Sequence, residues 1–290
     1  MSLLLSPLYT GVVAILLYAM GTLIQILSWK TNRPMTGFRR GGRIPSLLFA
    51  IAVSGIALHA LNLYQLLFHS GSFPAAENAG VSINLGIYIV ADLIGWVLAL
   101  LVLIACLWQP VQSLFLLAFP VAILGIMAGT FAQDEAGPVM HLSPGLVTHI
   151  LLSIMAYTIL MIAAFQSIVL ALQEKMLRNK SRISVLRRLP PLQTMEAVLF
   201  QFLWIGLIML TLSIASGFVF LDNMFAQHVV HHTVLALVSW AVFVSLLIGR
   251  RVFGWRGTTA AQWTLVGFGI LVVAYFGSKF VLEILLGSTR

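Results

Sequence analysis

Apolar residues run along this chain in eight long stretches, at residues 7–27, 44–68, 82–107, 113–131, 144–172, 197–220, 231–249 and 262–286, separated by mostly short polar gaps. A helix rises about 1.5 Å per residue, so roughly 20 apolar residues cross a hydrocarbon core about 30 Å thick. Each stretch is long enough to do so. The pattern predicts an all-α, polytopic transmembrane helical bundle of eight spans, forming a single integral membrane domain over residues 1–290.

The charges in the gaps orient it. Lys30, Arg33, Arg39, Arg40 and Arg43 fill the first gap, and Lys175, Arg178, Lys180, Arg182, Arg187 and Arg188 the gap after span five. Arg250, Arg251 and Arg256 fill the gap after span seven, which brings the total to 14 of the 16 basic residues. These gaps share one parity, and the intervening ones hold Glu77, Asp134, Glu135 and Asp222. Basic loops stay on the cytoplasmic side, so both termini are expected on the periplasmic side. Met1 to Thr10 carry neither Lys nor Arg nor a small-residue cleavage site, and the first stretch reads as a retained span.

Composition removes the alternatives to a membrane protein. With 60% hydrophobic and 8% charged residues, there is too little polar surface to cover a soluble globule. The formal net charge of +8 sits in loops that set topology, so nucleic acid is not an expected partner, whereas the lipid bilayer is. Cys106, the sole cysteine, lies inside an apolar run and reads as a buried thiol. Gly125-Ile-Met-Ala-Gly129 has the spacing that lets helices approach closely. Pro190-Pro191 stops any helix ahead of span six. Trp29, Trp108, Trp255 and Trp263 fall at the cytoplasmic ends of spans, as an aromatic belt predicts, while Trp96, Trp204 and Trp240 lie deeper and need partners for their N–H groups.

The candidate chemistry lies in the histidines. In His141-Leu-Ser-Pro-Gly-Leu-Val-Thr-His149, Ser143 suits an N-cap and Pro144 the first helical turn, placing His149 about 8 Å inside a span. His59 stands 15 residues beyond Ile44, roughly 23 Å along a helix from the cytoplasmic side, at a similar depth. His69 and His228 read as surface residues. His141, His231 and His232 fall at or beside the outer face. Two imidazoles at equal depth could grip the iron of one flat macrocycle, so His149 and His59 are the candidate axial ligands of a haem, with His231, His232 and His141 as further haem-binding candidates. Zinc would want three or four ligands, and no H-E-x-x-H or paired cysteines occur. Asp92 is a carboxylate deep in span three, a helix-packing group or part of a proton path. Lys279 and Glu283 form an i,i+4 pair near the end of the last stretch.

Five segments resemble the cytochrome c assembly proteins: Leu142-Ser-Pro-Gly-Leu-Val-Thr-His149, Leu189-Pro-Pro-Leu-Gln-Thr-Met-Glu196, Phe225-Ala-Gln-His-Val-Val-His-His-Thr-Val-Leu-Ala-Leu-Val-Ser-Trp240, Gly254-Trp-Arg-Gly257 and Ala274-Tyr-Phe-Gly-Ser-Lys-Phe280. The resemblance is strongest over residues 141–283 and is closest to the HemX/YpjD-like inner-membrane branch, related to the haem-handling CcsA proteins. It implies a bacterial inner-membrane protein that binds or delivers haem for c-type cytochromes. It places the family's outer-face histidine on His149 and the second-span histidine of this branch on His59. The related haem lyases carry a tryptophan-rich outer loop where this chain has Phe220-Leu-Asp-Asn-Met-Phe-Ala-Gln-His228, and histidines where it has positions near Ile248 and Leu286. The expected role is therefore non-covalent binding of a b-type haem alongside other cytochrome c assembly proteins, without lyase chemistry. Two other readings stay open. One is a small-molecule transporter with Asp92 in its path. The other is a non-catalytic regulator or scaffold of tetrapyrrole metabolism that docks through the basic loop around 175–188, for which the simpler reading is an anchor to anionic lipid.

Overall fold

The computed structural model describes residues 6–30, 45–68, 82–84, 86–131, 139–141, 144–179, 189–220 and 230–277. Within them lie eight helices: α1 (Pro7–Lys30), α2 (Ser46–Phe68), α3 (Ile87–Trp108), α4 (Phe115–Phe131), α5 (Pro144–Arg178), α6 (Leu192–Phe220), α7 (Val230–Phe253) and α8 (Gly257–Val272). A 3-10 turn, Gln112–Leu114, leads into α4, and a π-helical turn, Val273–Gly277, continues α8. Counting those turns, all eight are long and apolar enough to span a membrane. Ser143, His69, His228, Lys279 and Glu283 lie outside the described residues, as do the side chains of His141 and His231.

Where helix ends depart from the apolar runs, local chemistry explains the difference. The third helix starts at Ile87, not at residue 82, because Ser82–Asn84 (β1) pairs antiparallel with Val139–His141 (β2), Ser82 opposite His141. This two-stranded ribbon is an addition to the helical fold. Helix α5 runs on to Arg178, since Gln173, Glu174 and Lys175 end the apolar run but are good helix formers. Helix α8 begins five residues before the expected Gln262. Gly254, at φ 67°, takes the left-handed conformation that ends α7, and extended Arg256 restarts the helix.

The chain packs as two compact units, Met1–Leu142 and Ser143–Arg290. In unit 1 each helix packs on the next and α4 closes on α1; in unit 2, α5 to α8 make the same ring. Hydropathy sees spans but not their partners, so this division left no mark on the apolar pattern. The core of unit 1 holds Tyr18, Leu98, Leu114, Phe115, Phe119 and Ile126, fully buried. Small residues bring α3 and α4 together: a β-carbon on Gly125 would lie 3.0 Å from the Ala91 carbonyl oxygen, and one on Gly95 3.1 Å from Ala122 Cα. Both are closer than carbon packing tolerates. The Gly125–Gly129 spacing is thus used as a helix contact.

Candidate functional site

In unit 1, α2 carries His59 into the middle of the bundle, where it is fully buried. Its Nε2 lies 2.6 Å from Oδ1 of Asp92 on α3, and its Nδ1 lies 3.3 Å from the Tyr18 hydroxyl on α1. Asp92 is fully buried too, and its Oδ2 has no hydrogen-bond partner among the described residues. The space beside that oxygen exists because residue 129 is glycine, whose missing β-carbon would sit 2.8 Å from it. An unpaired charge in such a place costs several kcal/mol, on the order expected for a buried ion. A pair that is neutral overall avoids that cost. Both ring nitrogens of His59 are occupied, whereas an axial iron ligand must offer a free nitrogen lone pair. Ligation through Nδ1 would displace the 3.3 Å contact to Tyr18 and leave the bond to Asp92, and a carboxylate is a usual partner for the other nitrogen of a ligating imidazole.

In unit 2, α5 stacks His149, Ser153 and Tyr157 four residues apart on one face. His149 Nδ1 sits 3.0 Å from the Ser213 carbonyl oxygen and 3.1 Å from Ser216 Oγ, both on α6. A carbonyl only accepts, so Nδ1 carries the proton and Nε2 keeps its lone pair. Ser153 Oγ approaches Nε2 only at 3.5 Å and is engaged by the His149 carbonyl at 2.7 Å and Ser213 Oγ at 2.6 Å. His232, on α7, lies within electrostatic range of His149. Its ring meets Tyr275 edge-on, 6.2 Å between centroids. Behind them, Tyr157 packs against Phe268, Tyr275 and Phe276 at 5.4, 6.1 and 6.0 Å. Tyr275 and Phe276 come from the π-helical turn, an irregularity frequent at functional sites.

A second polar cluster lies toward the other end of unit 2. Arg256, in the turn before α8, donates from Nε to Glu196 Oε1 on α6 at 3.0 Å. Glu196 is buried, whereas Arg256 is largely exposed. The Arg250 guanidinium carbon stands 3.4 Å above the centre of the Phe200 ring, and Gln166 Nε2 donates to the Met195 carbonyl at 3.0 Å. Trp255 stacks on Trp263 at 4.9 Å and lies over Gly249, where a β-carbon would collide with the indole.

The five segments singled out in the sequence thus gather in two places. At one, His232 meets Tyr275 and lies within electrostatic range of His149; at the other, Glu196 meets Arg256. Asp92, Tyr18 and the serines around His149 were the less legible partners. Ser153, Ser213 and Ser216 are polar residues scattered through apolar spans, and only their approach to one imidazole gives them a role. The deep tryptophans need no ligand: Trp96 donates to the Ile56 carbonyl at 3.1 Å and Trp240 to Thr211 Oγ1 at 2.9 Å, while Trp204 is about half exposed.

Residues 10–286 match the model of a family described as "Cytochrome C assembly protein". Inner membrane protein YpjD of Escherichia coli strain K12 is 30% identical over 254 residues, covering 86% of this chain and 89% of YpjD. An "Uncharacterized 28.8 kDa protein in nifR3-like 5'region" of Azospirillum brasilense is 32% identical over 123 residues, 42% of this chain and 45% of that protein. No solved structure matches the chain.

Proposed function

Because the chain belongs to the cytochrome c assembly protein family, we propose that it handles haem in cytochrome c biogenesis, holding a non-covalent b-type haem at His149, with His232 as the second candidate ligand. It is a multi-pass inner-membrane protein. With the basic gaps cytoplasmic, both termini and the His149 end of α5 face the periplasm in this reading.

The observation that carries the proposal is the hydrogen bond from His149 Nδ1 to the Ser213 carbonyl. It sets the tautomer and aims Nε2 with its lone pair available, the arrangement by which outer hydrogen bonds orient a ligating imidazole. The donor set suits haem better than a bare ion. A porphyrin brings four nitrogens of its own, so one or two imidazoles suffice, and among the described residues no three of His, Cys, Asp and Glu gather. The rings of Tyr157, Phe268, Tyr275 and Phe276 offer the apolar surface a macrocycle needs. Bound haem would supply the iron and be the cargo. The chain's own part is to present Nε2, hold the ring through Ser213 and Ser216, and exclude water with its aromatic side chains. His141 and His231 remain further candidates.

The test is the absorption spectrum of full-length protein purified from haem-replete cells. The parent should show a Soret band, weakened by His149→Ala and to a lesser degree by His232→Ala. A folded parent protein without haem overturns the proposal.

A further inference from the structure

At the end of unit 2 away from His149, the turn between α7 and α8 gathers more positive charge than its carboxylates balance. Arg256 spends only Nε on Glu196; its two terminal amino groups have no partner among the described residues, and the side chain is largely exposed. Arg250, in the last turn of α7, stands over the Phe200 ring within electrostatic range of both Glu196 and Arg256. Its Nη1 is buried and has no hydrogen-bond partner among the described residues. Buried N–H donors are normally paired, so this guanidinium has a donor to spare. A third cation reaches the same turn through Glu174 on α5. Glu174 Oε2 lies 2.6 Å from where a β-carbon of Gly257 would be, and its Oε1 accepts a hydrogen bond from Arg178 at 3.4 Å. Two carboxylates thus stand among three guanidinium groups, which leaves one positive charge over. From this cluster an apolar stripe runs along α6. Phe200 lies one turn on from Glu196, and Trp204, Ile208 and Leu212 follow at the same four-residue spacing, each about half exposed.

We propose that Arg250 and Arg256 bind the phosphate of one anionic phospholipid at this end of unit 2, with its acyl chains along the α6 stripe. A guanidinium presents paired N–H donors that match two phosphate oxygens, and two neighbouring arginines here have donors unspent. Glu196 takes only Nε, so it positions Arg256 without using the terminal pair. Basic pockets between membrane helices hold lipid headgroups in this manner. The stripe decides for a lipid over free phosphate. The guanidinium groups stand where it ends, so a headgroup can reach them while its chains stay in hydrocarbon. Arg251 lies outside the cluster: one position on, it is turned about 100° around α7, and it is exposed without a partner among the described residues. That contrast separates a built site from diffuse attraction between a basic protein end and an anionic membrane, in which every exposed arginine counts alike.

The experiment titrates the full chain, in a neutral detergent, with phosphatidylglycerol and counts bound lipids by native mass spectrometry. One phosphatidylglycerol should bind ahead of the rest and saturate; phosphatidylcholine at the same concentration should not, and inorganic phosphate should not displace the bound lipid. Arg250→Gln and Arg256→Gln should each weaken this first binding by about tenfold, as expected for losing charge-assisted hydrogen bonds. Arg256→Lys, which keeps the charge and loses the fork, should weaken it by about threefold or more. Arg251→Gln removes the same charge and should change it by less than about twofold. An equal loss in Arg251→Gln and Arg256→Gln means diffuse attraction and overturns the proposal. Displacement by inorganic phosphate makes the site one for a free anion and overturns the lipid. If the glutamine variants do not fold, Arg256→Lys decides, and unchanged binding there counts against the site.

Discussion

His59 Nε2 and Asp92 Oδ1 lie 2.6 Å apart on different helices, and neither side chain has any exposed surface. Removing one partner strands the other. His59→Ala should destabilise unit 1 by about 3–5 kcal/mol, the usual cost of an uncompensated buried charge. The double variant His59→Ala, Asp92→Ala should lose less than the sum of the two single losses. Reversible unfolding in detergent, run as a double-mutant cycle, measures this, and simple additivity would show that the two groups do not act as a pair.

Gly129→Ala tests the room made for Asp92. The new methyl would meet Oδ2 at 2.8 Å, with Cβ and Cγ of Asp92 close behind at 3.0 and 3.1 Å. Overpacking of this kind costs about 1–3 kcal/mol, and the lowered midpoint should appear in a thermal scan. Gly269→Ala, on α8 with nothing within 4 Å, is the control and should not lower stability.

Ser216→Ala removes one of the two acceptors at His149 Nδ1 and leaves the Ser213 carbonyl. Under the haem proposal, haem affinity should fall by roughly tenfold, the lower range for losing an outer hydrogen bond to a ligand. Haem titration of purified protein reads this directly. An unchanged affinity would detach Ser216 from any role in aiming the ring.

Arg256→Ala removes the cation hydrogen-bonded to buried Glu196. Because Arg256 is mostly exposed, the cost is smaller than for a fully buried pair, about 1–3 kcal/mol. Adding Glu196→Gln should recover part of the loss. A stability unaffected by Arg256→Ala would make the contact a passive surface pair.

Why some of this was legible in the sequence and some was not follows from the range of the interactions. Spans, their number and the start of α5 at Pro144 are decided by runs of neighbouring residues, and they could be counted directly. The start of α8 was misplaced because Gly254, Trp255, Arg256 and Gly257 carry a tight turn that hydropathy averages away. His149 stood out because a histidine inside an apolar run needs a partner; the Ser213 carbonyl could not be foreseen, since every residue has a carbonyl. His59 and Asp92 were each noticed, but not together. Their pairing depends on the rotation of α2 and α3 about their own axes, which is set by contacts such as Gly125 against Ala91.

By itself, the sequence determined that this is a membrane protein of eight spans, because the transfer of apolar side chains and backbone into lipid depends on composition over a local window. Only the tertiary structure decided that the spans pack as two rings of four, that both nitrogens of His59 are taken, and that Nε2 of His149 has no short hydrogen bond among the described residues. Those outcomes depend on which faces of separate helices meet, and shape complementarity between distant segments leaves no periodic trace along the chain.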